Sequence, residues 1–403
     1  MVASAPDRTN GSRSGQRTPF ERVALLLQGG GALGSYQGGV YEALAEAGIH
    51  PDWVAGISIG AINSALIAGN PPGRRLERLR AFWEAVSDSP FNIPPVLRSL
   101  PVTDDYHRAI NQLRAFEVLL FGTPHFFKPR IPHPMLLPSS PVDAVSHYDT
   151  APLRATLVEL VDFDLLNSGS TRLMVGAVNV KSGNFVSFDN TMQLIGPEHI
   201  IASGSLPPGF PATEVDGEYY WDGGLVSNTP LQWVFDDRPR QDTLAFQVDL
   251  WNARGELPRN LIDAEVRQKE IQFSSRTRAG TNHVKRAQRL RQAFTNVVRQ
   301  LPAEMRDLED VKVLEEEADD KVFNIVHLIY RSAKYEGSAK DYEFSRRTME
   351  EHWRTGYEDA ARALKHPEVM QLADRQQGVR TFDFGINEQG AEEVIVESGP
   401  RPL

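Results

Sequence analysis

The sequence predicts an α/β fold built on parallel strands, and two short stretches near its start carry that prediction. Val23 to Leu27 is an apolar run that stops at Gln28-Gly29-Gly30-Gly31, after which Tyr36, Val40, Tyr41 and Leu44 recur at helical spacing. Asp52 to Ala55 reads as a second short strand. It meets Gly56-Ile57-Ser58-Ile59-Gly60, followed by helix-forming Ala61 to Ala68 and a Gly69-Asn70-Pro71-Pro72 stop. Two successive strand–turn–helix units imply a parallel sheet, with ligands expected at the carboxyl ends of its strands.

Composition narrows the chemistry. A chain of 403 residues suffices for one large domain with an accessory region. Its 43 basic and 53 acidic side chains leave a net charge of −10, which argues against a general nucleic-acid binder. The absence of cysteine excludes disulfides, thiolate metal sites, iron–sulfur clusters and a cysteine nucleophile, so covalent chemistry falls to oxygen or lysine. Residues 1–20, rich in Ser, Arg, Gly, Thr and Pro, read as a disordered leader without the apolar run of a secretory signal. No stretch approaches the roughly 18 to 20 apolar residues that cross a bilayer, and a cytoplasmic location is expected.

Further along, residues 90–148 form an insertion, and ten of the 27 prolines fall between Pro90 and Pro141. It reads either as a lid or acyl-contacting flap or as a packed irregular excursion. Asp149 or Thr150 caps a helix through about Val161, and Arg172 to Val180 with Asn184 to Phe188 form a hairpin turned by Lys181-Ser182-Gly183. A strand at Glu218 to Tyr220 leads into Trp221-Asp222-Gly223-Gly224. Residues 251–403 read as a mainly helical extension with a strand at Val322 to Tyr330, a last helix from about Tyr342 to Leu364 and a Gly, Glu and Pro-containing tail. Arg267 to Arg299 holds nine basic residues against Glu270, and Ala303 to Asp320 nine acids against Arg306 and Lys312, so the blocks are positioned to pair.

Three glycine-bounded motifs carry chemistry. Gly56-x-Ser58-x-Gly60 between a strand and a helix matches a nucleophile elbow, in which a strained turn presents the serine hydroxyl at the sheet's end. The helix that follows directs unpaired amides and a positive dipole end toward a developing oxyanion. Gly29-Gly30-Gly31-Ala32-Leu33-Gly34 fits an oxyanion loop. It also fits a dinucleotide fingerprint, with Asp52 about twenty residues on, although that acid precedes its strand instead of ending it. Close packing explains Gly34, Gly38 and Gly39 but not three glycines in a row. For the base there are two readings: a Ser-His-Asp set, with His283, His327 or His352 after Asp222, or Asp222 itself as a desolvated carboxylate. None of these histidines lies in a glycine-bounded turn, whereas Asp222 does.

Together the glycine loop, the elbow 28 residues after it and the Asp222-Gly223-Gly224 turn resemble the patatin-like phospholipase family. So do Ala202-Ser203-Gly204-Ser205-Leu206-Pro207-Pro208-Gly209-Phe210-Pro211 before the aspartate and Asn228-Thr229-Pro230 after it. The resemblance spans residues 21–250, taken as the catalytic domain, and implies a three-layer α/β/α fold. It implies a Ser–Asp dyad with Ser58 as nucleophile and Asp222 as base, Gly30 and Gly31 as oxyanion donors, a lipid ester substrate, and no metal or organic cofactor. One departure is Leu33, where many members carry Arg or Lys. A separate reading makes the protein a peripheral membrane or partner-binding protein. It rests on Val284, Ala287, Leu290, Phe294, Val297 and Val298 beside Lys285, Arg286, Arg289 and Arg291, a stripe suited either to core packing or to an anionic membrane surface.

Overall fold

A computed structural model of the chain describes residues 18–88, 104–136, 141–274, 277–332, 336–337, 339–386 and 392–397. The strands are β1 (Arg22–Leu27), β2 (Trp53–Ile57), β3 (Lys128–Pro129), β4 (Tyr148–Asp149), β5 (Arg172–Asn179) and β6 (Phe185–Asp189), followed by β7 (Thr213–Val215), β8 (Glu218–Asp222), β9 (Thr243–Asp249), β10 (Phe323–Ile329), β11 (Val379–Ile386) and β12 (Glu392–Glu397). Ten of them form one sheet in the order β12-β11-β10-β9-β1-β2-β5-β8-β7, with β6 also on β5, while β3 and β4 pair separately. From β11 to β5 every neighbour is parallel, and the edges are antiparallel. Chain order runs one way from β1 through β2 to β5 and the other way through β9, β10 and β11. The sheet therefore reverses beside β1, where a crevice opens at the carboxyl ends of the strands.

The helices are α1 (Ser35–Glu46), α2 (Ile59–Ala68), α3 (Pro72–Val86), α4 (Asp104–Phe121), α5 (Ala151–Leu160) and α6 (Phe163–Asn167), then α7 (Pro197–Ser203), α8 (Leu231–Asp236), α9 (Leu261–Phe273), α10 (Thr277–Gln300), α11 (Glu309–Glu317) and α12 (Arg346–Leu364). Alternation along β1 sends Val23, Leu25 and Leu27 into one core with residues of α1, α2, α3 and α12, and Ala24 and Leu26 into a second with residues of α8 and α10. Both faces are covered, which is why β1 reads as an uninterrupted apolar run. Helices α1 and α12 cross with their backbones touching. A Cβ at Gly39 would lie 1.8 Å from the Trp353 carbonyl oxygen, and one at Gly356 2.0 Å from that of Tyr36.

The expected α/β architecture is present, with a mostly parallel sheet and a mainly helical region beyond residue 251. That region also supplies β10, where a strand at Val322 to Tyr330 is expected, and β11 and β12, which lie in the Gly, Glu and Pro-containing tail. β11 pairs in parallel with β10 from before α12, which no local pattern announces, and β12 folds back antiparallel on β11. The last helix starts at Arg346, with the Ser345 side chain accepting from Thr348 N–H at its N-terminus, and not at Tyr342. Inside the insertion the structure has an 18-residue helix, α4, on a stretch free of proline between Pro101 and Pro124. Other parts of the insertion, and residues 1–17 of the expected leader, lie outside the described residues. No helix among the described residues is long and apolar enough to cross a membrane.

The apolar stripe expected of α10 does not face the core as a unit. Val284 is buried, but Leu290 and Val297 are exposed, and the face turned inward is largely polar: Thr281, Lys285, Gln288, Arg291, Gln292 and Thr295. Ion pairs set this rotation. Lys285 reaches Glu397 at 3.2 Å, Arg291 reaches Asp236 at 3.0 Å, and Gln288 donates to the Lys321 carbonyl at 2.8 Å. The two charge blocks do meet, through Arg299 and Asp320 at 2.9 Å.

Replacing Gly39 with Val drives a branched side chain into the backbone of α12. Overpacking of this kind costs about 2 to 3 kcal/mol. Urea unfolding is expected to show a lower midpoint at unchanged slope, and an unshifted midpoint would mean that the two helices separate freely.

Candidate active site

Strand β2 ends at Ile57, and Ser58 takes φ 56° and ψ −123°, on the positive-φ side that L residues avoid. Its neighbours leave it no room to relax. A Cβ at Gly56 would lie 2.2 Å from the Gly60 carbonyl oxygen, and one at Gly60 2.2 Å from that of Leu27, so the turn is pressed against the end of β1. The Ser58 N–H donates to Ser203 Oγ at 3.0 Å, and α2 begins at the next residue. The outcome is a serine at the sheet's carboxyl edge beneath a helix N-terminus.

Asp222, the last residue of β8, is 3% exposed. Its carboxylate accepts a hydrogen bond of 2.7 Å from Gly224 N–H and lines the same cavity as Ser58. Burial pushes its pKa from the usual carboxylate range up to about 6, against the opposing pull of the Ser58 side chain and the Gly224 N–H. Gly223, between Asp222 and Gly224 in sequence, packs against the Gly176 carbonyl of β5.

The glycine loop is anchored on both sides. Gly29 N–H donates to Asn228 Oδ1 at 3.1 Å, and its carbonyl accepts from Asn228 Nδ2 at 3.0 Å and Trp251 Nε1 at 2.9 Å. Gln28 Oε1 accepts from the N–H groups of Leu250 and Trp251, just past β9, at 2.7 and 2.9 Å. On the far side, Ala32 N–H donates to the Asp341 carbonyl at 2.8 Å. Between these anchors Gly30 and Gly31 line a cavity. Gly31 has φ +57°, and a Cβ there would meet the Asp341 carbonyl oxygen at 2.1 Å. Gly34 lies deeper, packed on Ile59 and Trp83, with its carbonyl accepting from Asn63 Nδ2 at 2.9 Å.

The cavity has a volume of about 320 Å³ and brings together Gly29, Gly30, Gly31, Ser58, Asp222 and Gly224. Its remaining wall is mostly apolar, from Ile59 and Ile62 of α2, Val118 and Leu119 of α4, Phe126, Phe127, Tyr148, Leu206, Phe210, Trp251, Phe273, Tyr342 and Phe344. No histidine is among the lining residues. His327 lies within β10 near Thr281, His352 of α12 pairs with Glu336 at 3.3 Å, and His283 is exposed on α10. Asp52 sits at the opposite end of the sheet, where its Oδ2 accepts from Val23 N–H at 3.1 Å, away from the glycine loop.

Several residues that shape this site have no individual role in the sequence. Gln28 opens the glycine run, and Ser203 and Asn228 stand in the two segments quoted before and after Asp222. Trp251 and Asp341 approach from distant parts of the chain, and nothing in the local pattern marks them.

A profile of the patatin-like phospholipase family matches residues 25–234, just over half of the chain, and a second profile, described as patatin phospholipase, matches residues 271–376. A 66-residue stretch is 47% identical to Lysophospholipase nte1 of Aspergillus terreus, covering 16% of this chain and 4% of that protein. A 64-residue stretch is 45% identical to patatin-like phospholipase domain-containing protein 7 of Mus musculus, covering 16% and 5% respectively. The matched stretches are thus a small fraction of those relatives' length. The crystal structure of VipD from Legionella pneumophila aligns over 88% of this chain and 68% of that one at 16% identity and a TM-score of 0.35, a likeness too remote to argue from. The profile that matches residues 25–234 runs through the glycine loop, the Ser58 elbow and the Asp222 turn, and the chain belongs to the patatin-like phospholipase family.

Proposed function

We propose that this protein is a serine-dependent lipid acyl hydrolase working through a Ser–Asp dyad. The observation that carries the reading is the placing of the strained Ser58 and the buried Asp222 together in one apolar cavity flanked by the glycine loop. Ser58 Oγ attacks the ester carbonyl carbon while its proton passes to the Asp222 carboxylate. The tetrahedral oxyanion is stabilised by the Gly30 and Gly31 amides, each such donor contributing on the order of 3 to 4 kcal/mol. Collapse expels the alcohol, which takes the proton from Asp222 and leaves an acyl group on Ser58. Water then attacks the acyl carbon, gives its proton to Asp222, and the fatty acid leaves as Ser58 recovers its hydrogen.

Direct proton transfer to a carboxylate is feasible here because burial has raised its basicity toward neutrality. The apolar wall from Ile59 to Phe344 suits an acyl chain and keeps water from competing with the oxyanion donors. Asn228 is a positioning residue in this scheme, joining the glycine loop to the segment that follows Asp222.

Ser58→Ala is expected to lower hydrolysis of medium-chain acyl esters by at least about a thousandfold, and retention of full activity would refute the mechanism. The base must be ionised to act, so kcat/KM is expected to fall as pH drops through about 6 and to level off above it. Asp222→Asn should remove that limb with a loss of about 10² to 10⁴ in kcat. A limb near neutrality that persists in this variant would instead point to a histidine base. Asn228→Ala releases both sides of Gly29, and about a tenfold to hundredfold loss is expected in kcat with little change in KM. The reverse split, in KM alone, would assign Asn228 to substrate binding.

A further inference from the structure

Helix α4 presents to solvent the face that a water-exposed helix normally keeps polar. Leu113, Phe116 and Leu120, spaced three and four residues apart on one side, are exposed, while Val118 and Leu119 of the same helix line the catalytic cavity. A second apolar group stands beside the same rim. Ile131, Met135 and Leu136 follow β3, in the connection to β4, and with the three α4 residues they are 49% to 90% exposed. Hydrogen bonds tie the two groups to the cavity. Arg130 N–H donates to the His147 carbonyl at 3.0 Å, and His147 and Tyr148 N–H donate to the carbonyls of Pro208 and Gly209 at 3.0 and 2.9 Å, residues of the cavity wall. Tyr148 Oη donates to the Leu119 carbonyl at 2.8 Å.

The collar is also close to electrically neutral. Its ion pairs, Arg114 with Glu117 at 3.1 Å and Lys128 with Asp149 at 3.4 Å, are internal. On the basic helix α10, Lys285, Arg291 and Arg299 are engaged by Glu397, Asp236 and Asp320, while Arg286 and Arg289 are exposed. Exposed apolar surface continuous with an apolar cavity marks a contact with another apolar phase. We propose that the collar formed by α4 and residues 131–136 is the surface by which this protein docks on a lipid aggregate, inserting its apolar side chains at the cavity mouth independently of headgroup charge. The proposal rests on the lipid-hydrolase reading of the cavity.

Docking is tested apart from catalysis with the full chain carrying Ser58→Ala and vesicles of zwitterionic phosphatidylcholine. The protein is expected to sediment with them equally well at physiological and at high salt. The triple substitution Leu113→Gln, Phe116→Gln and Leu120→Gln should lower that partitioning by at least about tenfold. With Ser58 restored, the same triple variant should lose hydrolysis of vesicle-borne ester in parallel, yet hydrolyse a dissolved short-chain ester within about twofold of the unsubstituted chain, which also shows that it folds. Partitioning that ignores the triple substitution overturns the proposal. So does binding confined to anionic vesicles and released by salt, which would assign docking to α10, or a dimer dispersed by the substitution with vesicle binding unchanged, which would assign the collar to a second copy. Collar-dependent vesicle binding in a protein that hydrolyses no ester would leave the docking surface standing and remove only the catalytic reading.

Discussion

Where the chain leaves β2, Ser58 is bent to a φ of 56°, a conformation that costs a non-glycine residue about 1 to 3 kcal/mol and persists only if its surroundings forbid relaxation. Here they do. Gly56 and Gly60 close on each other and on the end of β1, Ser203 takes the Ser58 N–H, and α2 starts at the following residue. The strain is thus supported by the two central strands of the sheet, the most buried part of the protein. It keeps the hydroxyl at the sheet's edge, in the same cavity as a carboxylate that arrives on β8 from the antiparallel side.

The same crowding governs the electrostatics. Asp222 is basic because water is scarce around it, and water is scarce because the cavity wall is assembled from elements far apart in sequence. Phe126 and Phe127 come from the insertion, Trp251 from the end of β9, and Tyr342 and Phe344 from the loop before α12. Residues beyond 251 therefore belong to the site in a physical sense. Asp341 accepts the Ala32 N–H, and α12 lies against α1 through Gly39 and Gly356, so the glycine loop is supported from both halves of the chain.

Legibility followed the range of the interactions. The strand–glycine–helix units, the elbow and the Asp222 turn could be read because backbone geometry within about five residues demands glycine at particular places. The α4 helix was obscured by the prolines around it, although the segment itself has none. On α10 the apolar stripe suited either core packing or a membrane surface, and the ion pairs of Lys285 and Arg291 turn a largely polar face inward. Those partners, Glu397 and Asp236, lie far away in the chain, where periodicity carries no information.

By itself the sequence determined which local turns this protein makes and which side chains stand in them: glycines where no Cβ fits, a serine in the strained turn, an aspartate at a strand end. These are constraints of covalent geometry acting over a few residues. Only the tertiary structure decided that Ser58 and Asp222 meet, that burial lifts the carboxyl toward neutrality, and that Asn228, Trp251 and Asp341 hold the glycine loop. It also decided that the apolar side of α4 faces outward at the cavity rim. Desolvation and long-range contact depend on what surrounds a residue in space, and that is settled when the sheet closes.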